Sequence, residues 1–183
     1  MAHLRPYRLL VFSCVLVGAT TLDLRAAGAQ GERRDEYHVK AAFLYNFAKF
    51  IQWPESDRSE MLVVGVVGHS PFNEVFEAVV TGKSVNGRVI VVRQFQSDDD
   101  PRAFNIIFIG VSEARRTADI LLRVGGASVL TVGETPHFLT EGGIVQFYVR
   151  ENRVRFDINS AGANQAGLRI SSQLLSLAKQ VSE

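Results

Sequence analysis

The chain has 183 residues, of which 46% are apolar and 21% charged, and its formal net charge is +1. That length predicts one domain, long enough to bury a core without disulfides or a structural metal. The near-zero charge argues against a nucleic-acid protein, and the single cysteine, Cys14, rules out an internal disulfide and argues against a zinc site.

The first segment reads as an address. Arg5 and Arg8, with His3, make a positive start, and Leu9 to Ala19 is nearly uncharged. Ala27-Gly28-Ala29 is the small-x-small pattern of a cleavage site, so residues 1–29 are expected to be a secretory signal peptide cut near Ala29. The rival is an uncleaved anchor, disfavoured because the apolar run is short for a membrane span. Cleavage removes Arg5, Arg8, Arg25 and Asp23, which leaves a mature chain of net charge −1 with no cysteine.

Residues 30–35 are polar and expected to be frayed, with the folded domain over 36–183. From Glu36 to about Gln52 the spacing predicts a helix. Tyr37, Ala41, Leu44, Ala48 and Ile51 make one apolar stripe and Phe43, Phe47 and Phe50 a second, and Pro54 marks the end. Met61 to Val67 reads as a strand buried on both faces. Ser70-Pro71 then starts a helix that runs to about Val80.

Val89–Val92, Asn105–Ile109 and Val129–Val132 are further strands, and Ala114–Val124 a helix with Ser112 as its N-cap. Asp98 to Asp100 forms a solvated turn. Ile144–Val149 and Arg153–Ile158 alternate around Glu151-Asn152 as an antiparallel hairpin. Asn159 to Gly167 is polar and small, and a last helix is expected from Ser171 to Val181. The fold class is therefore α/β: a single domain whose mixed, mostly parallel sheet ends in an antiparallel hairpin and is flanked by helices.

Catalytic signatures are sparse. His38, His69 and His137 sit in no paired metal-ligand spacing, so no metal and no cofactor are expected. Gly110-Val111-Ser112-Glu113-Ala114 lacks the second glycine of a nucleophile elbow. The most suggestive charges are Arg150, Arg153, Arg155 and Arg169. Arg153 and Arg155 fit outward-facing strand positions. Arg169, ahead of Ser171 and Ser172, fits either a small-anion pocket at a helix start or a structural arginine bound to backbone carbonyls.

Four segments together resemble the YfiR family of exported bacterial proteins: Glu36 to Phe50 running on to Trp53-Pro54, Gly142-Gly143-Ile144 leading to Phe147, Arg155 to Asn159, and Gly167 to Ala178. The resemblance covers about residues 36–181. It implies a non-enzymatic periplasmic regulator that binds the sensing domain of an inner-membrane diguanylate cyclase and represses it, lowering cyclic di-GMP and biofilm formation. It also implies a homodimer and a small-molecule site near Gly167 to Ser172, which makes Arg169, Ser171 and Ser172 candidate ligand residues, with Lys49 and Gln52 as neighbours. Tyr45, Asn46, Phe47, Trp53, Pro54, Gly142, Gly143, Phe156 and Asn159 are motif positions expected to serve structure or an interface. The repressor type uses disulfides, which the mature chain here lacks, so redox sensing is not expected. Two alternatives stand beside this reading. One is a binding module serving a sensor kinase or an outer-membrane receptor. The other is a hydrolase, which would need Ser112, His137 and a carboxylate in one cluster.

Overall fold

A computed structural model describes residues 20–54 and 59–182. The chain divides into two units, residues 1–33 and residues 34–183. In the first, only 20–33 are described, and they are helical; most of the expected signal peptide, with Cys14, lies outside the described residues. Among the described residues no helix is long and apolar enough to cross a membrane.

Helix α1 is Thr20–Phe50, so it begins well before Glu36, and the expected frayed segment 30–35 is helical. Strand β1 is Ile51–Gln52 and β2 is Met61–Val67. Helix α2, Phe72–Val80, starts where expected: Pro71 precedes it, and the Ser70 hydroxyl accepts the Phe72 N–H at 3.1 Å. Strands β3 (Ser84–Val85) and β4 (Arg88–Gln94) form a hairpin around Asn86-Gly87, both at positive φ, a turn not foreseen from sequence.

Strand β5 is Ile106–Ile109. The helix expected from Ala114 is split into a 3₁₀ turn at Val111–Glu113 and α3 at Thr117–Val124. Ser112 does not cap it, because its hydroxyl accepts the His69 N–H from across the sheet edge at 3.2 Å. Gly125 closes α3 in the left-handed conformation.

Strand β6 is Leu130–Gly133, and β7 (Val145–Arg150) and β8 (Arg153–Asn159) form the expected hairpin. Glu151 and Asn152 both have positive φ, the two-residue turn that matches strand twist. Asn159 to Gly167 is not all loop: α4, Ser160–Gln165, forms because the Asn159 side chain accepts the Gly162 N–H at 2.8 Å.

The last stretch departs most from expectation. Arg169–Ile170 is strand β9, α5 is only Ser172–Leu175, and Val181–Ser182 is strand β10. The Leu-rich segment stops being helical because β8 would otherwise present a bare edge. The chain turns back, accepts the Ile158 N–H through Gln180 O at 3.0 Å, and pairs β10 with β8 in parallel. Leu177 is 60% exposed.

The main sheet has the order β10-β8-β7-β6-β5-β2-β4-β3. β4, β2, β5, β6 and β7 are mutually parallel, and the β7–β8 and β3–β4 pairs are antiparallel. This is the mixed, mostly parallel α/β sheet read from the sequence. One face packs Leu62, Val64, Val66, Phe108 and Val132 against α1 and α2, and Phe47 stacks on Phe147 and meets Phe156 edge-on. The other face packs Val67, Ile107 and Ile109 against α3 and Phe138. The second sheet is the short antiparallel pair β1–β9, which holds the end of α1 to the C-terminal segment.

Candidate ligand-binding site

Pro54 ends α1 early, since the residue before a proline avoids helical angles. The chain leaves the helix as β1 and is met by β9. Ile51 faces Ile170 and Gln52 faces Arg169. Residues directly opposite in an antiparallel pair project to the same side. Ile51 is buried and Ile170 half-buried, which anchors one side, while Gln52 and Arg169 are both exposed on the other. The Ser171 N–H donates to Phe50 O at 3.0 Å and extends the clip. The candidates Lys49, Gln52, Arg169, Ser171 and Ser172, far apart in sequence, thus come from one joined segment pair.

Their roles differ from expectation. The Ser171 hydroxyl caps α5 by accepting the Leu174 N–H at 3.2 Å. α5 is a single turn, so it lacks the dipole of the longer helix expected there, and Ser172 is simply exposed at its start. Any pull on an anion comes from the side-chain cations. Among the described residues Arg169 has neither an ion pair nor a carbonyl partner, so it is not a structural arginine bound to backbone. Lys49 lies over the rings of Tyr45 and Phe50, at 5.5 and 5.8 Å from their centroids.

Gly167, at φ +70°, carries the chain into β9, and a side chain there would begin 3.4 Å from Pro54 Cγ. Trp53 is half-buried, and its indole N–H finds no acceptor among the described residues.

The other motif positions hold the fold. Phe47 and Phe156 are core rings, and Asn46 is half-buried on α1. Gly143 and Gly133 flank the Phe138 ring so closely that a Cβ on either would overlap it. Gly142, at φ +99°, makes the preceding turn. Asn159 donates to Gly143 O at 3.3 Å while capping α4, which ties the glycine turn to the hairpin.

Sequence reasoning missed a buried charge cluster. Lys40, 2% exposed, pairs with Glu134 Oε2 at 2.5 Å and with Glu36. Burial would lower the Lys40 pKa, but the Glu134 and Glu36 carboxylates outweigh it and raise it above its ordinary 10.5. Burial pushes the Glu134 carboxyl up, against the pull of Lys40. Glu134 Oε1 and the Thr135 hydroxyl are buried beside this pair without partners among the described residues. The available signal was a lysine inside the apolar stripe, three residues after Tyr37 and four before Leu44.

The hydrolase cluster does not assemble: Ser112 Oγ lies 3.5 Å from Glu113 Oε1, but among the described residues no hydrogen bond joins it to His137. No group of histidine, cysteine, aspartate and glutamate side chains suited to a metal occurs among those residues either.

No curated protein sequence matches the chain. Among solved structures it is similar to a conserved domain protein from Vibrio cholerae, with a TM-score of 0.56 at 11% identity. That match covers 78% of this chain, which spans only 60% of the other. A second similarity is to an ABC domain in complex with L-Trp from Streptococcus pneumonia, with a TM-score of 0.47 at 11% identity, covering 66% of this chain and 55% of that one. The first supports the fold alone, and neither indicates a ligand. A family model described as YfiR/HmsC-like matches residues 37–179, from the buried Tyr37 on α1 to Lys179 just ahead of β10. The chain belongs to the YfiR/HmsC-like family.

Proposed function

We propose that the protein is a non-enzymatic regulator that binds, as a homodimer, the periplasmic sensing domain of an inner-membrane diguanylate cyclase and holds it inactive, lowering cyclic di-GMP. A small anionic ligand on the Arg169 side tunes that grip. The observation that supports this best is the β1–β9 pairing, which sets exposed Arg169 opposite exposed Gln52, three residues after Lys49 in the chain, in a protein matched to the family over residues 37–179. An exposed arginine with no partner keeps its full hydrogen-bonding fork for a carboxylate or phosphate.

The regulatory step is a population shift. A repressor biases its partner only by the difference in its affinity for the partner's two states, and a ligand acts by changing that difference. Deleting the gene should raise cyclic di-GMP, and restoring it should lower the level again. An unchanged level refutes control of a cyclase and moves the partner to a sensor kinase or an outer-membrane receptor. For the ligand, Arg169→Ala should abolish anion binding in calorimetry; retained binding puts the site elsewhere.

A further inference from the structure

We propose that the protein has a second ligand site, at the carboxyl ends of β2, β4 and β5, and that it takes a neutral polyhydroxylated molecule of monosaccharide size.

The topology opens a crevice there. β4 and β5 flank β2 on its two sides, and all three strands are parallel. The chain leaves β2 for α2 on one face of the sheet and leaves β5 for α3 on the other. Where connections from neighbouring parallel strands part to opposite faces, the crevice outside their carboxyl ends is the place at which open α/β sheets bind ligands. Here it is a cleft of about 610 Å³, walled by Gly68 to Ser70 after β2, the start of α2, the segment after β4, and Glu113 and Arg116 after β5. That volume is in the range of small-molecule sites. The Arg169 side lies at the other end of the strands: a Cβ on Gly167, at the entry to β9, would be 3.7 Å from the hydroxyl of Ser128, just ahead of β6.

The walls of the cleft are fixed to one another. Gln94 Nε2 donates to Gly68 O at 3.3 Å, and the His69 N–H donates to Ser112 Oγ at 3.2 Å. The segments after β4 and β5 are thus both tied to the segment after β2. Gly68 has φ +98°, and a Cβ on it would overlap Ser112 Oγ and sit 2.8 Å from Glu113 Cγ, so only glycine permits this approach. A site built in advance loses little to ordering when a ligand enters.

The lining selects the ligand. The cleft has no lysine, and its one arginine, Arg116, already meets Glu113 at 3.2 Å. With Glu74 as a second carboxylate, the surroundings do not favour an anion. Phe95 is buried, so it offers no ring face to a flat base. What remains is the amides of Asn73, Gln94 and Gln96 and the hydroxyls of Ser70 and Ser97. Asn73 Oδ1 is buried without a partner among the described residues and needs a donor. The first turn of α2 leaves N–H groups that need acceptors. A hydroxyl serves as both, and a molecule with several hydroxyls meets donors and acceptors interleaved in this way.

The test is calorimetry of the full chain with glucose, galactose, ribose and myo-inositol, beside inorganic phosphate and putrescine as charged probes. At least one polyol should bind at millimolar concentration, with an affinity that does not fall as salt rises, because the ligand carries no charge. Asn73→Ala and Gln96→Ala should each weaken it about tenfold, the loss of one or two hydrogen bonds. Arg169→Ala should leave it unchanged. Asn73 lies on α2, where alanine is well tolerated, and Gln96 is exposed, so circular dichroism should report an unchanged fold. Binding of phosphate or putrescine but of no polyol overturns the ligand class. A polyol held equally well by both variants, or lost on Arg169→Ala, overturns the placement. No binding of any of the four polyols at millimolar concentration overturns the proposal.

Discussion

Phe138 is wedged between two glycines, and Gly143→Ala tests whether that wedge is why the glycine is there. Phe138 is fully buried. A Cβ at Gly143 would overlap one edge of its ring and sit 2.7 Å from the Phe138 carbonyl oxygen. The ring cannot slide away, because the Gly133 side is equally close, with the ring's Cζ 2.8 Å from where a Cβ would be. Ordinary carbon contacts lie near 3.5–4.0 Å, so the ring would have to move by roughly an ångström. Overpacking of this kind costs about 1–3 kcal/mol, and a ring trapped on both sides belongs at the upper end. The new methyl also restricts the unfolded chain, which returns about 0.5–1 kcal/mol. The expected net loss is about 2 kcal/mol.

Phe138→Ala removes the ring and costs about 3–5 kcal/mol by itself. In that background Gly143→Ala should meet only the carbonyl contact and cost about 1 kcal/mol or less, a coupling of more than about 1 kcal/mol in the double-mutant cycle. Urea unfolding followed by circular dichroism gives all four stabilities. A Gly143→Ala cost that is the same with and without the ring would refute the wedge, as would no cost in the wild-type background.

Lys40→Met should lose about 3–5 kcal/mol in urea unfolding, because it strands a buried carboxylate, and Lys40→Met with Glu134→Gln should recover part of it. The deficit has a predictable pH dependence. A carboxyl whose folded pKa is raised contributes stability at low pH that is lost as pH rises through that value. Unfolding from about pH 4.5 to 8 should therefore show the variant falling further below wild type as pH rises, and a constant gap would refute the assignment. Asn159→Ala should cost about 1–2 kcal/mol by thermal melting, since it removes the α4 cap and the bond to Gly143 O together. Arg169→Ala should change stability by less than about 0.5 kcal/mol in the same melt, because an exposed side chain with no ion pair among the described residues supports little of the fold.

The periodicities carried most of the sheet. Met61–Val67 and Ile106–Ile109 read as strands because continuous β-branched runs have few other uses, and the Glu151-Asn152 turn was flanked by clean alternation. Elements decided by tertiary partners were not legible. β1, β9 and β10 have two residues each, too few for any pattern, and exist because an edge or a segment end needed pairing. The Leu174-Leu175-Leu177 spacing suits a helix better than a turn, yet the open edge of β8 took the chain. Of the candidate ligand residues that the resemblance implied, Ser171 is a helix cap. Lys83 meets Tyr45 only through the packing of α1 and α2 on one sheet face, which no local pattern announces.

The β1–β9 clip has a consequence for biogenesis. Its two strands are separated by more than a hundred residues of chain, with nearly the whole sheet between them. Joining such distant segments carries a large loop-closure entropy until the intervening structure has formed. Arg169 therefore meets Gln52 only after the sheet is in place and the C-terminal segment has been delivered. A copy cut short before Leu168 would lack β9, α5 and β10, and with them the clip.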